Sequence, residues 1–162
     1  MDTLNAVVPW KWETFPEYLD QLEGHVGMNV ATLLGHSAIR LYTMGEASGE
    51  RAATDDEIAR MKDLVRSAME AGAFGLSTGL VYVPGAYSET DEIIGLAQVA
   101  SRYGGVYATH MRNEGNQLLE SIEEAIDIGR RADMPIQISH HKATGQANHG
   151  KVDQSLELLR LT

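Results

Sequence analysis

Cysteine is absent from the 162 residues, which excludes a disulfide framework and a thiolate metal site, so any metal has to sit on His, Asp or Glu. Basic residues are scarce. Thirteen Lys and Arg stand against 23 Asp and Glu, a net charge of −10 that offers no electrostatic footprint for a phosphate backbone or an anionic lipid surface. Neither nucleic acid nor membrane is an expected partner. No apolar run approaches the roughly 20 residues of a membrane-spanning helix, and the opening Met1-Asp2-Thr3-Leu4-Asn5 lacks the basic and apolar regions of a signal peptide. The expectation is a soluble, unexported, cytoplasmic protein. Only 4 prolines occur and no Pro/Ser-rich linker interrupts the chain, so residues 1–162 read as one structural region. Aromatics make up just 6%, yet 43% hydrophobic residues suffice for a core.

What is present is an alternation of short β-prone runs and amphipathic stretches, the pattern of consecutive βα units around a parallel sheet. The runs Asn29 to His36, Phe74 to Leu80, Val106 to His110 and Pro135 to His140 are the expected strands. Between the first two, the capping box Thr54-Asp55-Asp56-Glu57 opens a helix with Ile58, Met61, Val65 and Ala68 on one face, ending at Gly72. A second helix from Ser88 or Thr90 carries Ile93, Leu96, Ala97 and Ala100. A third from Asn116 aligns Leu118, Ile122, Ala125 and Gly129, and a fourth after Gly150 aligns Val152, Leu156 and Leu159. Ahead of them, Thr14 with Glu17 boxes a helix bearing Phe15, Tyr18, Leu19 and Leu22. The later strands recur about every 30 residues, the length of a βα unit. Both an open doubly wound sheet and half of an eight-unit barrel fit this length, but no phosphate-cradling glycine loop follows any strand, which weakens the first.

Three expected strands end in histidine: His36, His110, and His140 with His141. In parallel α/β folds the ligand site lies at the C-terminal strand ends. Imidazole is the commonest metal ligand, and two such residues from neighbouring strand ends suit a catalytic zinc with an open position. Each histidine alone would read as a hydrogen-bonded or exposed loop residue; together they point to a site, led by the 110/140 pair of strand ends well ahead of His36. Alternation along the last strand leaves open which of His140 and His141 faces inward.

The runs Gly75-Leu76-Ser77-Thr78-Gly79-Leu80-Val81-Tyr82-Val83-Pro84, Tyr107-Ala108-Thr109-His110-Met111-Arg112-Asn113-Glu114 and Gln137-Ile138-Ser139-His140-His141-Lys142 closely resemble the N-acyl-D-amino-acid deacylases, the D-aminoacylase branch of the amidohydrolase superfamily. The likeness extends to Trp10-Lys11-Trp12 and Glu17-Tyr18-Leu19 near the start and to Asn148-His149-Gly150 near the end. It implies an α/β fold of the zinc-dependent (β/α)8 barrel type, with His110 and His140 as metal ligands on the fifth and sixth strands. It further implies that Lys142 pairs with the substrate's free carboxylate and that Tyr82 hydrogen-bonds the scissile carbonyl. His141 is left to packing or to supporting the ligands, and Arg112 is expected to pair with Glu114, with a part in binding the substrate carboxylate as the alternative.

The implied reaction is hydrolysis of an N-acyl-D-amino acid, with zinc activating water and Tyr82 stabilising the oxyanion. Rival readings are a cyclic-amide or ureido hydrolase of the same superfamily and a non-catalytic α/β module. The family's His-x-His strand, cysteine ligand, catalytic aspartate and carboxylate-binding arginine have no counterpart here. The expectation is therefore an internal piece of a metal-dependent amidohydrolase barrel, roughly strands three to six.

Such a piece would leave strand edges near Asn29 to Leu34 and Ile136 to Ser139 open to self-association and strip burial from Leu34 and Ile138. The isolated chain is expected to oligomerise, to bind zinc weakly through two histidines and to show no deacylase turnover. Sedimentation, zinc stoichiometry and hydrolysis of N-acetyl-D-amino acids check this, and a monomer with one tight zinc and measurable turnover would refute it.

Overall fold

The computed structural model describes residues 10–160. Its elements run α1 (Phe15–Leu22), β1 (Leu33–Gly35), α2 (His36–Met44), α3 (Asp55–Glu70), β2 (Gly75–Gly79), α4 (Thr90–Ser101), β3 (Val106–His110), α5 (Leu118–Ala132), β4 (Ile136–Ile138) and α6 (Lys151–Arg160). Single 3-10 turns occupy Gly45–Gly49, Gly85–Tyr87 and Gln146–Asn148. Both expected capping boxes form. Thr14 Oγ1 accepts from the Glu17 amide and Thr54 Oγ1 from the Glu57 amide, while each glutamate accepts the amide of its capping threonine in return. Among the described residues no helix is long and apolar enough to cross a membrane.

The four strands form one parallel sheet in the order β1-β2-β3-β4, with Leu34 opposite Leu76, Ser77 opposite Ala108, Gly79 opposite His110 and Ala108 opposite Gln137. Sequential order without reversal means that every crossover winds the same way. Right-handed connections then put the helices on one face, and α3, α4, α5 and α6 pack in succession there. A doubly wound sheet would reverse direction at a switch point; this one does not.

Between sheet and helices lies a core that includes Leu34, Met61, Leu76, Ile93, Leu96 and Tyr107. Each fully buried apolar side chain contributes roughly 1.5–3 kcal/mol. A second cluster, Met111, Leu118, Ile122 and Ile126, receives Ile136 and Ile138 from β4 and Leu158 and Leu159 from α6. Gly129 lets α5 sit this close to β4, because a Cβ there would lie 2.6 Å from Ile136 Cγ2.

Several expectations need correction. The first strand is only Leu33–Gly35, and His36 begins α2 instead of ending a strand. The last is Ile136–Ile138, with Ser139 and His140 in a turn. Leu34 stays buried, whereas Ile138 is only half-buried. Leu34 faces the core and Ile138 packs on the second cluster. The opposite face of the sheet carries the small or polar Ser77, Gly79, Ala108 and Gln137 together with Val106. The outer edges of β1 and β4 have no partner strand among the described residues.

The second capping glutamate does more than cap. Glu57 accepts from both Arg51 Nη1 and Nη2 at 2.8 Å and from the Thr54 amide at 2.8 Å, and these bonds, Arg51 first, hold its carboxyl down at about 2 against an ordinary 4.5. A carboxyl depressed on folding contributes stability that is present above its unfolded value and lost as pH falls through the folded one. Glu57→Gln should therefore lower the melting temperature at neutral pH, with the gap to wild type closing as pH falls from about 4.5 to about 2. A pH-independent gap in thermal unfolding would contradict this.

Candidate metal centre

Alternation along β3 sends Tyr107 and Thr109 into the core, where Thr78 Oγ1 bonds both the Tyr107 hydroxyl and Thr109 Oγ1 at 2.8 Å. Val106, Ala108 and His110 consequently face the open side of the sheet, and His110 stands at its rim. On β4 strict alternation would do the reverse. With Ile136 and Ile138 against the helices, it would turn His140 toward the helices and His141 toward the rim. The chain leaves the strand first. His140 adopts a left-handed φ of 36°, which swings its ring to His110, while His141 Nε2 meets Ser155 Oγ of α6 at 2.7 Å.

The His110 and His140 rings lie 4.4 Å apart between centroids and are tilted by 45°. His140 Nε2 is in direct contact with His110 Nδ1. Behind His140, its Nδ1 lies 2.9 Å from Lys142 Nζ and 2.9 Å from Glu114 Oε1, and Glu114 Oε2 forms an ion pair with Lys142. Tyr82 sits edge-on to His110, centroids 6.3 Å apart, with 61% of its surface exposed. Gly79 makes room for it. A Cβ on Gly79, the residue paired with His110 across the sheet, would come 3.1 Å from Tyr82 Cδ2. His110, His140, Lys142 and Tyr82 thus gather at one rim.

His36 and Arg112 do not join them. The His36 ring is fully buried, with Nε2 at 2.8 Å from Glu92 Oε1, and Glu92 also binds Arg40 in the interior. Burial opposes ionisation of Glu92, but its bonds to His36 and Arg40 outweigh this and hold its carboxyl below the usual range. Arg112 pairs with Glu124 of α5 at 2.9 Å, not with Glu114, and donates to the carbonyls of Ala86 at 3.2 Å and Ser88 at 3.1 Å. It straps down the loop between β2 and α4 that carries Tyr82. Sequence reasoning missed Glu92, whose signal is its place on the apolar stripe Glu92-Leu96-Val99, and the half-buried Glu114 in the loop after the His110 strand.

Two imidazole nitrogens facing each other are the donors that zinc takes, and they could fill two positions of a tetrahedral set. Among the described residues no group of three or more His, Cys, Asp or Glu side chains is arranged to hold a metal.

A one-way parallel sheet with paired histidines at its C-terminal rim defines a class, and the family comparison agrees: the Amidohydrolase family profile matches residues 6–161, and the chain belongs to that family. Particular relatives narrow the likeness. The chain is 44% identical over 160 residues to a D-aminoacylase and 40% identical over 161 residues to an N-acyl-D-aspartate deacylase, both from Alcaligenes xylosoxydans xylosoxydans. Each alignment covers 98% of this chain but 33% and 32% of the relative, so the chain spans about a third of their length.

Solved structures agree. A D-aminoacylase crystal structure described as defining a novel subset of amidohydrolases superposes with a TM-score of 0.87 at 41% identity, covering 91% of this chain and 31% of that one. The N-acyl-D-glutamate deacylase of Bordetella bronchiseptica, complexed with zinc and a phosphonate inhibitor that mimics the tetrahedral intermediate, matches with the same TM-score and coverage at 36% identity. The parallel sheet and its helices are thus part of a (β/α)8 barrel.

The Arg112 strap generates a test. Hydrogen bonds to charged groups contribute about 1.5–3 kcal/mol each, and removing the guanidinium leaves the half-buried Glu124 without its ionic partner, with only the Thr90 hydroxyl still donating to it. Arg112→Met should cost on the order of 2 kcal/mol in denaturant unfolding and leave zinc binding unchanged. Loss of zinc with no loss of stability would place Arg112 in the metal centre instead.

Proposed function

We propose that residues 1–162 form part of the catalytic barrel of a zinc-dependent hydrolase that cleaves N-acyl-D-amino acids to a carboxylate and a free D-amino acid. The observation that carries this reading is the contact between the His110 and His140 imidazoles at the ends of adjacent parallel strands. The zinc and tetrahedral-intermediate mimic in the deacylase relative, and the names of the two Alcaligenes relatives, support the metal and the substrate class. In this proposal the protein is cytoplasmic, has no nucleic-acid or membrane partner, and can self-associate through its open strand edges.

His110 Nδ1 and His140 Nε2 would be the metal-binding atoms. Zinc, when bound, supplies Lewis acidity for the amide carbonyl and activates the attacking water. Lys142, beside His140, is the cation that takes the substrate's free carboxylate, a charge-assisted contact that fixes the acyl group against the rim. Because Glu114 already pairs with Lys142, the substrate carboxylate adds to that pair or displaces it. Tyr82, exposed at the rim and edge-on to His110, donates its hydroxyl hydrogen to the oxygen that becomes negative as the carbonyl is attacked. As the C–N bond breaks, the amine nitrogen takes up the proton given up by the attacking water and leaves as the free D-amino acid, while the acyl group leaves as a carboxylate.

Zinc titration of the purified chain tests the metal assignment. Binding should be lost in His110→Ala and in His140→Ala, and binding that survives both substitutions overturns it. Release of D-amino acid from N-acetyl-D-amino acids, with the L-isomers untouched, tests the substrate class in the protein that carries these residues. There Lys142→Ala should raise KM at least tenfold while leaving zinc content intact; an equal fall in zinc content would make Lys142 part of the metal site's architecture.

A further inference from the structure

Among the described residues Glu114 is the acidic side chain that touches both His140 and Lys142, and its position is built rather than incidental. It lies four residues beyond His110 in a loop pinned on three sides. The Asn113 amide donates to Ser121 Oγ at 2.9 Å, Asn113 Oδ1 accepts from the Gly115 amide at 2.8 Å, and the Glu114 carbonyl accepts from the Thr144 amide at 2.7 Å. That last bond ties the loop after β3 to the loop after β4. The Glu114 side chain is only 15% exposed, against 45% for His140 and 46% for Lys142.

Its two oxygens differ. Oε2 is engaged by Lys142, whereas Oε1 is buried with no hydrogen bond although it lies 2.9 Å from His140 Nδ1. The separation suits a hydrogen bond; the direction of the ring N–H does not. A buried acceptor without a donor is costly, and the ring nitrogen that faces it is Nδ1 of His140, whose Nε2 already meets His110. His140 Nδ1 also lies 2.9 Å from Lys142 Nζ, and because an ammonium can only donate, that contact and an Nδ1–H bond to Oε1 exclude each other; when Nδ1 carries the proton, Lys142 keeps its ion pair with Oε2 and Oε1 is the acceptor left for Nδ1–H. Histidines that bind metal through one nitrogen characteristically donate the other N–H to a carboxylate or carbonyl, which fixes the tautomer and raises the basicity of the ligand.

We propose that Glu114 is a positioning residue for the metal centre: its buried Oε1 accepts the Nδ1–H of His140 and so holds the Nε2 lone pair toward an ion shared with His110. This rests on the zinc reading above and extends it. One carboxylate then does two things, orienting a ligand through Oε1 and anchoring the substrate-binding Lys142 through Oε2. The metal and the substrate carboxylate are coupled through it.

The test uses the 162-residue chain with zinc as the probe, measuring affinity against a competing chelator and the Nδ1 proton of His140 by long-range 1H–15N NMR. In the zinc-loaded wild type, His140 should show Nδ1–H protected from exchange with water. Glu114→Ala should lower zinc affinity 10- to 100-fold and lose that protection. Glu114→Gln should stay within about tenfold of wild type and keep the proton, because its amide oxygen can still accept. Should Glu114→Ala fail to fold, the Gln variant alone decides: unchanged affinity with an unprotected Nδ1 proton overturns the proposal. Zinc binding that needs His110 and His140 but ignores Glu114→Ala overturns the role of Glu114 and leaves the metal reading standing. Failure of the wild-type chain to bind zinc removes both.

Discussion

Parallel strands joined by crossovers of one hand impose a constraint on which everything else here depends: their C-terminal ends all arrive at the same rim. His110 and His140 are 30 residues apart in sequence, yet the register that sets Ala108 opposite Gln137 brings their rings into contact. The same winding keeps the helices on one face. The core on that side is therefore mostly apolar, with its polar groups paired to one another, while the other face carries serine, glycine, alanine and glutamine beside Val106. Small side chains on that face leave space above the sheet, and the rim residues project into it.

Buried charge is distributed so that it stiffens the surroundings of the rim. Arg40 and Glu92 are almost completely enclosed, and Arg40 also donates to the carbonyls of Ser48, Arg51 and Tyr87. An isolated buried ion would cost several kcal/mol, so a full set of partners is the condition for its presence. The outcome is that α2, α4 and the 3-10 turns before and after them are joined by polar bonds where apolar packing alone would tolerate sliding. Arg112 adds a second such joint from the other side of the Tyr82 loop. Two guanidiniums thus hold Ala86, Tyr87 and Ser88 by their carbonyls.

Much of this was legible in the sequence, for identifiable reasons. The strand Val106–His110 and the face Met61, Val65, Ala68 of α3 follow from period-2 and period-3.6 patterning and appear as read. The rim histidines stand out because polar residues end apolar runs. The beginning of β1 was not legible, since a three-residue edge strand has too few positions to show alternation and His36 at a helix start looks like a strand end. Partner choice was not legible either. Whether Arg112 meets Glu114 or Glu124 depends on where α5 docks, which is a tertiary fact. Alternation along β4 could not choose between His140 and His141 because the residue that decides has left the strand.

That departure has a consequence for which residues the position can accept. A left-handed φ is tolerated by Asn, Asp and His far better than by other side chains, and β-branched residues are nearly excluded from it. At His140 the backbone therefore filters substitutions before any chemistry is considered. The side chains that pass, glycine aside, are those with an oxygen or nitrogen to offer. Drift at this site would exchange one potential ligand for another, so that the conformation of a single turn biases the position toward retaining a donor atom.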